Sequence, residues 1–126
     1  MSKSETEQFC AKSLAERLEL SSRLKAKHPG HLPLILDVSQ YRGKLPENYR
    51  WKFLCPEQHR LSQVYWEIIR SGMQVSFAEN IHFCIYDSLM RYVMPAMSSS
   101  ILEIYNKYGS NDGFLYVYIQ KENTFG

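Results

Sequence analysis

One amphipathic segment, EQHRLSQVYWEIIRSG, stands between two sets of strand-like runs, and this restricts the fold more than any other feature of the chain. Leu61, Tyr65, Ile68 and Ile69 recur at helical spacing, and Gly72 suits the stop. Two strand-like runs precede it. HLPLILDVS is rich in branched residues, and Pro33 fits only its start or an edge. YRWKFLC follows after the turn chemistry of YRGKLPEN, so the two runs read as a hairpin with a longer loop, ended by Pro56. After the helix, NIHFCIYDS is apolar almost throughout and is expected to be the central strand. MRYVM is a short fourth strand.

The rest of the chain completes the order. SSSILEIYNKYGS is a short helix in which Ser100 and Glu103 form a capping box and Gly109 closes the end. NDG turns the chain, FLYVYI is the last strand, and QKENTFG trails as a polar tail. At the front, residues 1–12 are polar and read as a short helix or a loose arm. SLAERLELSSRLKAK is a helix with a second capping box, Ser13 and Glu16, and HPG stops it. Leu14, Leu18 and Leu24 lie near one face of it, with Arg17, Arg23 and Lys27 off that face. The fold class is therefore α+β. The order ββαββαβ is that of a ubiquitin-like β-grasp, a mixed sheet wrapped over one helix, with an additional N-terminal helix or helices. Residues 1–27 are expected to form an N-terminal helical extension packed on the core. Residues 28–126 are expected to form the ubiquitin-like domain, with a C-terminal tail at 120–126.

Composition narrows the function classes. A chain of 126 residues, 44% hydrophobic and 22% charged, fits one globular domain with a real core. A net charge of +2 gives no case for nucleic acid as the main partner. The three cysteines are odd in number and form no C-x-x-C, which argues against a disulfide framework and for a reducing compartment. Cys55 and Cys84 sit in apolar runs and read as small buried hydrophobes. No apolar run approaches the roughly 20 residues that span a bilayer, and the start of the chain carries no signal-peptide core. The expectation is a soluble, cytosolic domain.

Catalytic signals are thin. No phosphate-binding glycine loop and no G-x-S-x-G is present. His28 and His31 straddle Pro29-Gly30 and have no partner pair, so no metal site is expected. No nucleophile–base constellation appears, and neither an enzyme nor a cofactor is expected. Two surface features do ask for a role. In RWKFLCP, Trp51, Phe53 and Cys55 alternate with Arg50, Lys52 and Leu54, so both faces carry large apolar groups. Such an edge strand could accept another chain by strand addition, or it could be buried on one face with Lys52 snorkelling out. The second feature is the tail, in which Gly126 follows a strand on a polar stalk; it is either incidental or a reactive end.

DGFLYVYIQKENTFG resembles the C-terminus of the autophagy-related protein 8 family, the ubiquitin-like modifiers that include light chain 3 and GABARAP. The match rests on Asp112, Gly113, Phe114, Leu115 and Tyr116, then Thr124, Phe125 and Gly126. LPLIL, KFLCP, EIIR and the RL of Arg23–Leu24 are similar to further family motifs, in order, over about residues 13–126. The resemblance implies that the Gly126 carboxyl is activated, carried as a thioester and joined to phosphatidylethanolamine, with Thr124 and Phe125 recognised by the processing enzymes. Phosphatidylethanolamine is then a covalent modification and not a cofactor. A runner-up reading attaches the glycine to protein lysines, as in the autophagy-related protein 12 type, although that type tends to end in W-G.

The resemblance also implies a site for peptides of the form aromatic-x-x-aliphatic. Its aromatic pocket would use Leu24, Pro33, Leu34, Lys52, Leu54 and Phe114. Its aliphatic pocket would use Phe53, Cys55, Pro56, Leu61, Tyr65 and Ile68. Arg50, Lys52 and Arg70 would attract flanking acidic residues. Leu20, beside Glu19, stands where a glutamate is common, and Trp51 where a basic residue is common. The implied partners are activating and conjugating enzymes, a deconjugating cysteine protease, cargo receptors, and a membrane after lipidation. The implied protein is a monomer in the cytoplasm that reaches autophagosome membranes when lipidated.

Overall fold

The computed structural model describes residues 5–37, 51–70, 81–86 and 91–121. Helices α1 (Glu5–Cys10) and α2 (Leu14–Lys27) precede strands β1 (His31–Asp37) and β2 (Lys52–Pro56). Helix α3 (Leu61–Arg70), strands β3 (Ile81–Tyr86) and β4 (Tyr92–Val93), helix α4 (Ile101–Tyr108) and strand β5 (Leu115–Lys121) follow. The polar front segment thus contains a helix. The serines of both capping boxes are in place: Ser13 Oγ accepts from the Glu16 N–H at 3.1 Å, and Ser100 Oγ from the Glu103 N–H at 3.2 Å.

The five strands form one sheet in the order β2-β1-β5-β3-β4. β1 and β2 are antiparallel, as are β3 and β4. β5 enters between the two pairs, parallel to β1 and antiparallel to β3. This mixed topology, with its helices, is the β-grasp that the element order predicts. The middle strand is β5, however, and not β3, which lies one place from the edge beside the two-residue β4. A continuous apolar run reports cover on both faces of a strand, not the number of strands on each side. Phe83, Cys84 and Ile85 are all buried, as are residues 32–36 of β1.

The sheet separates two apolar layers. On one face Leu32, Leu34 and Leu36 of β1, Phe53 and Cys55 of β2, and Leu115, Val117 and Ile119 of β5 meet Leu61 and Val64 of α3 and Ile101 and Ile104 of α4. On the other face Ile35 and Phe114 meet Phe9 of α1, with Leu20 and Leu24 of α2 packed against them. The period of two sends alternate residues of β1 and β5 to opposite layers.

The buried face of α2 differs from the one read from its leucines. Leu14 and Leu18 are 50% and 45% exposed, whereas Ser21 is buried and Leu20 and Leu24 reach the sheet. At about 100° per residue, Leu20 and Leu24 lie well around the helix from Leu14 and Leu18. The surface under α2, not the leucine count, chose the face. Helices α3 and α4 begin against one another. Leu61 N–H donates to Ser99 O at 2.9 Å and Ser62 N–H to Met97 O at 2.9 Å, while Ile101 N–H donates to His59 O at 2.8 Å and Leu102 N–H to Glu57 O at 2.9 Å. Among the described residues no helix is long and apolar enough to cross a membrane.

Candidate functional site

The site begins with the turn Asp112-Gly113-Phe114. Asp112 is almost fully buried. Its Oδ1 accepts the Phe114 N–H at 3.0 Å, and its Oδ2 accepts the Arg17 Nε–H at 3.1 Å and the Tyr116 hydroxyl. A buried carboxylate is tolerable only when paired in this way. Burial, and then the hydrogen bond to Asp112, push the Tyr116 phenol above its ordinary pKa. Gly113 has φ +83°, and Ser21, buried in α2, donates its hydroxyl to Asp112 O at 2.6 Å. Tyr105 of α4 donates to Gly113 O at 2.6 Å, and Lys25 donates to the Tyr105 hydroxyl at 3.0 Å. The turn therefore fastens α2 and α4 to the start of β5 and aims Phe114 beneath α2.

Arg17 extends the same network to α1. Its Nη1 donates to Cys10 O and Lys12 O, both at 2.7 Å, so the last carbonyl of α1 and one in the connection to α2 find a partner. This holds Phe9, 4% exposed, against the sheet. The Phe9 ring lies 5.1 Å from Phe114 at 84° and 5.7 Å from Trp51 at 60°. An open cavity of about 580 Å³ lies beside these rings. Phe9, Leu20, Leu24, Trp51 and Phe114 supply its apolar wall, and Gln8, Lys12, Arg23, Lys27 and Lys52 its polar part. Four of the described lining residues are cations and none is a carboxylate. Arg23 pairs with Glu19 at 2.6 Å on the exposed side of α2, and Lys52 Nζ sits 5.0 Å from the Trp51 ring centroid. Burial, and then Asp37, raise the pKa of the Cys10 thiol at the end of α1. The chemistry suits an aromatic group with negative charge beside it.

The cavity adjoins an open sheet edge. Among the described residues no strand pairs with the outer side of β2. The Trp51 carbonyl accepts from Leu36 N–H at 2.7 Å, and Glu57 N–H donates to Gly30 O at 2.9 Å, both toward the β1 side. Alternation along the strand then turns the backbone N–H and C=O groups of Lys52 and Leu54 outward.

The structure distributes the expected site residues as follows. Leu24, Lys52 and Phe114 line the cavity. Pro33 and Leu54 lie opposite each other on the same sheet face, buried and half-buried respectively. Leu34 does not belong with them. It pairs with Phe53 and is buried in the other layer, because a one-residue step reverses the face. Phe53, Cys55 and Leu61 come together with Tyr65 beside them, but as closed core: Leu61 has no exposure and Phe53 only 4%. Pro56 is half-buried at the end of β2. Arg50, Thr124, Phe125 and Gly126, and the side chains of Ile68 and Arg70, lie outside the described residues. Among the described residues no three His, Cys, Asp or Glu side chains converge as a metal site. The sequence reading missed Phe9, Lys12, Arg23 and Lys27 as cavity residues. The available signal for Phe9 was one aromatic ring in an otherwise polar stretch.

A family described as autophagy protein Atg8, ubiquitin like, matches residues 16–126. Human microtubule-associated protein 1 light chain 3 gamma is 31% identical over 115 residues, covering 91% of this chain and 75% of the relative. Autophagy-related protein 8 of Dictyostelium discoideum is 28% identical over 113 residues, covering 90% of this chain and 88% of the relative. The crystal structure of Trypanosoma brucei ATG8 superposes with a TM-score of 0.73 at 25% identity, covering 99% of this chain and all of that one. Plasmodium falciparum Atg8, solved with a Plasmodium falciparum Atg3 peptide, shares the fold with a TM-score of 0.71 at 17% identity, covering 96% of this chain and all of that one.

Proposed function

This chain belongs to the Atg8 family of ubiquitin-like autophagy proteins, and from that premise we propose that it is a lipid-conjugated modifier and a peptide-binding adaptor. The observation that carries the adaptor role is the juxtaposition of an aromatic, cation-rimmed cavity with the outward backbone of β2. An extended cargo-receptor segment adds to β2 through Lys52 and Leu54 and places its aromatic side chain in the cavity. The cations Lys12, Arg23, Lys27 and Lys52 favour acidic residues beside that ring. The aliphatic residue of the motif needs the β2–α3 side, where Phe53, Cys55 and Leu61 are closed over, so its entry requires side-chain movement there.

In the same reading Gly126 is the conjugated residue, and Thr124 and Phe125 are the handle for its enzymes. Adenylation of the carboxyl releases pyrophosphate. A cysteine thiol of the activating enzyme displaces AMP, and a conjugating enzyme receives the thioester. The amine of phosphatidylethanolamine then expels the thiol and forms an amide. Glycine suits this step because no Cβ hinders attack on its carbonyl. Each buried CH₂ contributes about 0.8 kcal/mol, and two acyl chains give stable anchoring. The Plasmodium falciparum protein is seen with an Atg3 peptide, and a conjugating enzyme of that kind is the proposed partner here. Residues 1–27 then act as an extension on a ubiquitin-like domain, cytoplasmic before conjugation and on the autophagosome membrane after it.

The test is reconstitution with activating and conjugating enzymes, ATP and liposomes containing phosphatidylethanolamine, read by intact mass. The expected product gains one phospholipid less one water, and Gly126→Ala loses it. Transfer to protein lysines instead, or no thioester, would overturn the lipid reading.

A further inference from the structure

Phe9 is the least expected member of the cavity wall, and its placement does not depend on any ligand. It belongs to a helix of six residues, yet it is 4% exposed. Two contacts outside α1 fix it. Arg17, anchored on Asp112, binds the Cys10 and Lys12 carbonyls just beyond Phe9. The Phe9 ring meets Phe114 nearly perpendicularly and lies at a tilt to Trp51. Three rings, from α1 and from the residues just before β2 and β5, thus converge on one wall. Aromatic rings attract further rings in edge-to-face or offset arrangements, beyond what equal apolar area supplies. A leucine or isoleucine entering the same space gains only the area.

We propose that Phe9 is a specificity-determining residue, which makes the cavity prefer an aromatic anchor over an aliphatic one. The inference rests on the peptide-binding reading above. Because Arg17 holds Phe9 in place before binding, the preference is preorganised and not created by the ligand. Removing one ring of the wall should change the ratio of affinities by about two- to tenfold while leaving the apolar volume nearly intact.

The experiment is calorimetric titration of three short acidic peptides identical except for Trp, Phe or Leu at the anchor position. The proteins are the full chain, Phe9→Leu, Phe9→Tyr and Lys52→Ala, each checked for an unchanged melting curve. The full chain should bind the Trp peptide at least tenfold more tightly than the Leu peptide. Phe9→Leu should cut that ratio by at least threefold and leave the Leu peptide within twofold. Phe9→Tyr, which keeps the ring, should restore the ratio. If Phe9→Leu weakens all three peptides alike, or changes none, Phe9 is only a structural wall and the proposal fails while the peptide reading stands. If Lys52→Ala leaves every affinity unchanged, or no peptide binds the full chain, the cavity is not the peptide site and both fail.

Discussion

Ser21 Oγ lies where a side chain on Gly113 would have to be: a Cβ built there would stand 2.2 Å from it. The backbone at Gly113 is also left-handed, with φ +83°. Between them these two residues set how closely α2 approaches the start of β5, and hence where Phe114 and the cavity wall sit.

Gly113→Ala should therefore destabilise the fold by about 2–4 kcal/mol, from the left-handed conformation and from overpacking together. Urea unfolding measures it. Adding Ser21→Gly should recover the overpacking part but not the conformational part, so the double-mutant cycle should show clear coupling. Additive effects would mean that the contact is relieved without cost.

Arg17→Met leaves the Asp112 carboxylate buried with one donor fewer and removes the partner of the Cys10 and Lys12 carbonyls. The loss should be about 3 kcal/mol, the scale for breaking one side of a buried pair. A loss below about 1 kcal/mol, the scale of an exposed pair, would show that water reaches Asp112 freely.

The Tyr116 phenol carries a pH signature. A tyrosine in the unfolded chain ionises near 10.0, and in the folded chain Tyr116 ionises well above that. Above pH 10 the unfolded state has lost a proton that the folded state keeps, so the stability it contributes is present below 10 and falls as pH rises. Tyr116→Phe should flatten this decline in urea midpoints between about pH 9 and 11. Parallel wild-type and variant curves would contradict the assignment.

Leu54→Pro tests strand addition separately from side-chain recognition. The Leu54 N–H faces outward, so proline there removes a donor from the free edge without taking one from the β1–β2 ladder. Both Leu54→Pro and Leu54→Ala should fold. The proline variant should bind an aromatic-anchored peptide at least tenfold more weakly than the alanine variant, by titration. Equal affinities would mean that the peptide does not extend the sheet.

Much of this was legible because it is written locally. Ser13 with Glu16 and Ser100 with Glu103 announce helix starts through bonds that span three residues. The alternation of β1 and β5 fixes which residues share a face once one of them is placed, and the order of strands and helices admits few sheets. The motif from Asp112 to Tyr116 was readable as a pattern. The reason for each of its residues was not, because Arg17 and Ser21 reach them from more than 90 positions away. The start of α3 shows the same limit. Its Leu61 and Ser62 N–H groups are satisfied by carbonyls of Ser99 and Met97, and no spacing rule links those segments.

The element order, the capping of α2 and α4, the β-grasp class and the family can all be read along the chain, since each depends on neighbouring residues or on the order of motifs. Only in the closed fold does β5 take the middle of the sheet, do Leu20 and Leu24 rather than Leu14 and Leu18 face it, does Leu34 go to the core and not the cavity, and does Phe9 complete the cavity wall. One cause underlies all four. A side chain's own pattern states that it can be buried, but which surface buries it depends on the shape and hydrogen bonds of segments that meet only after the chain has closed.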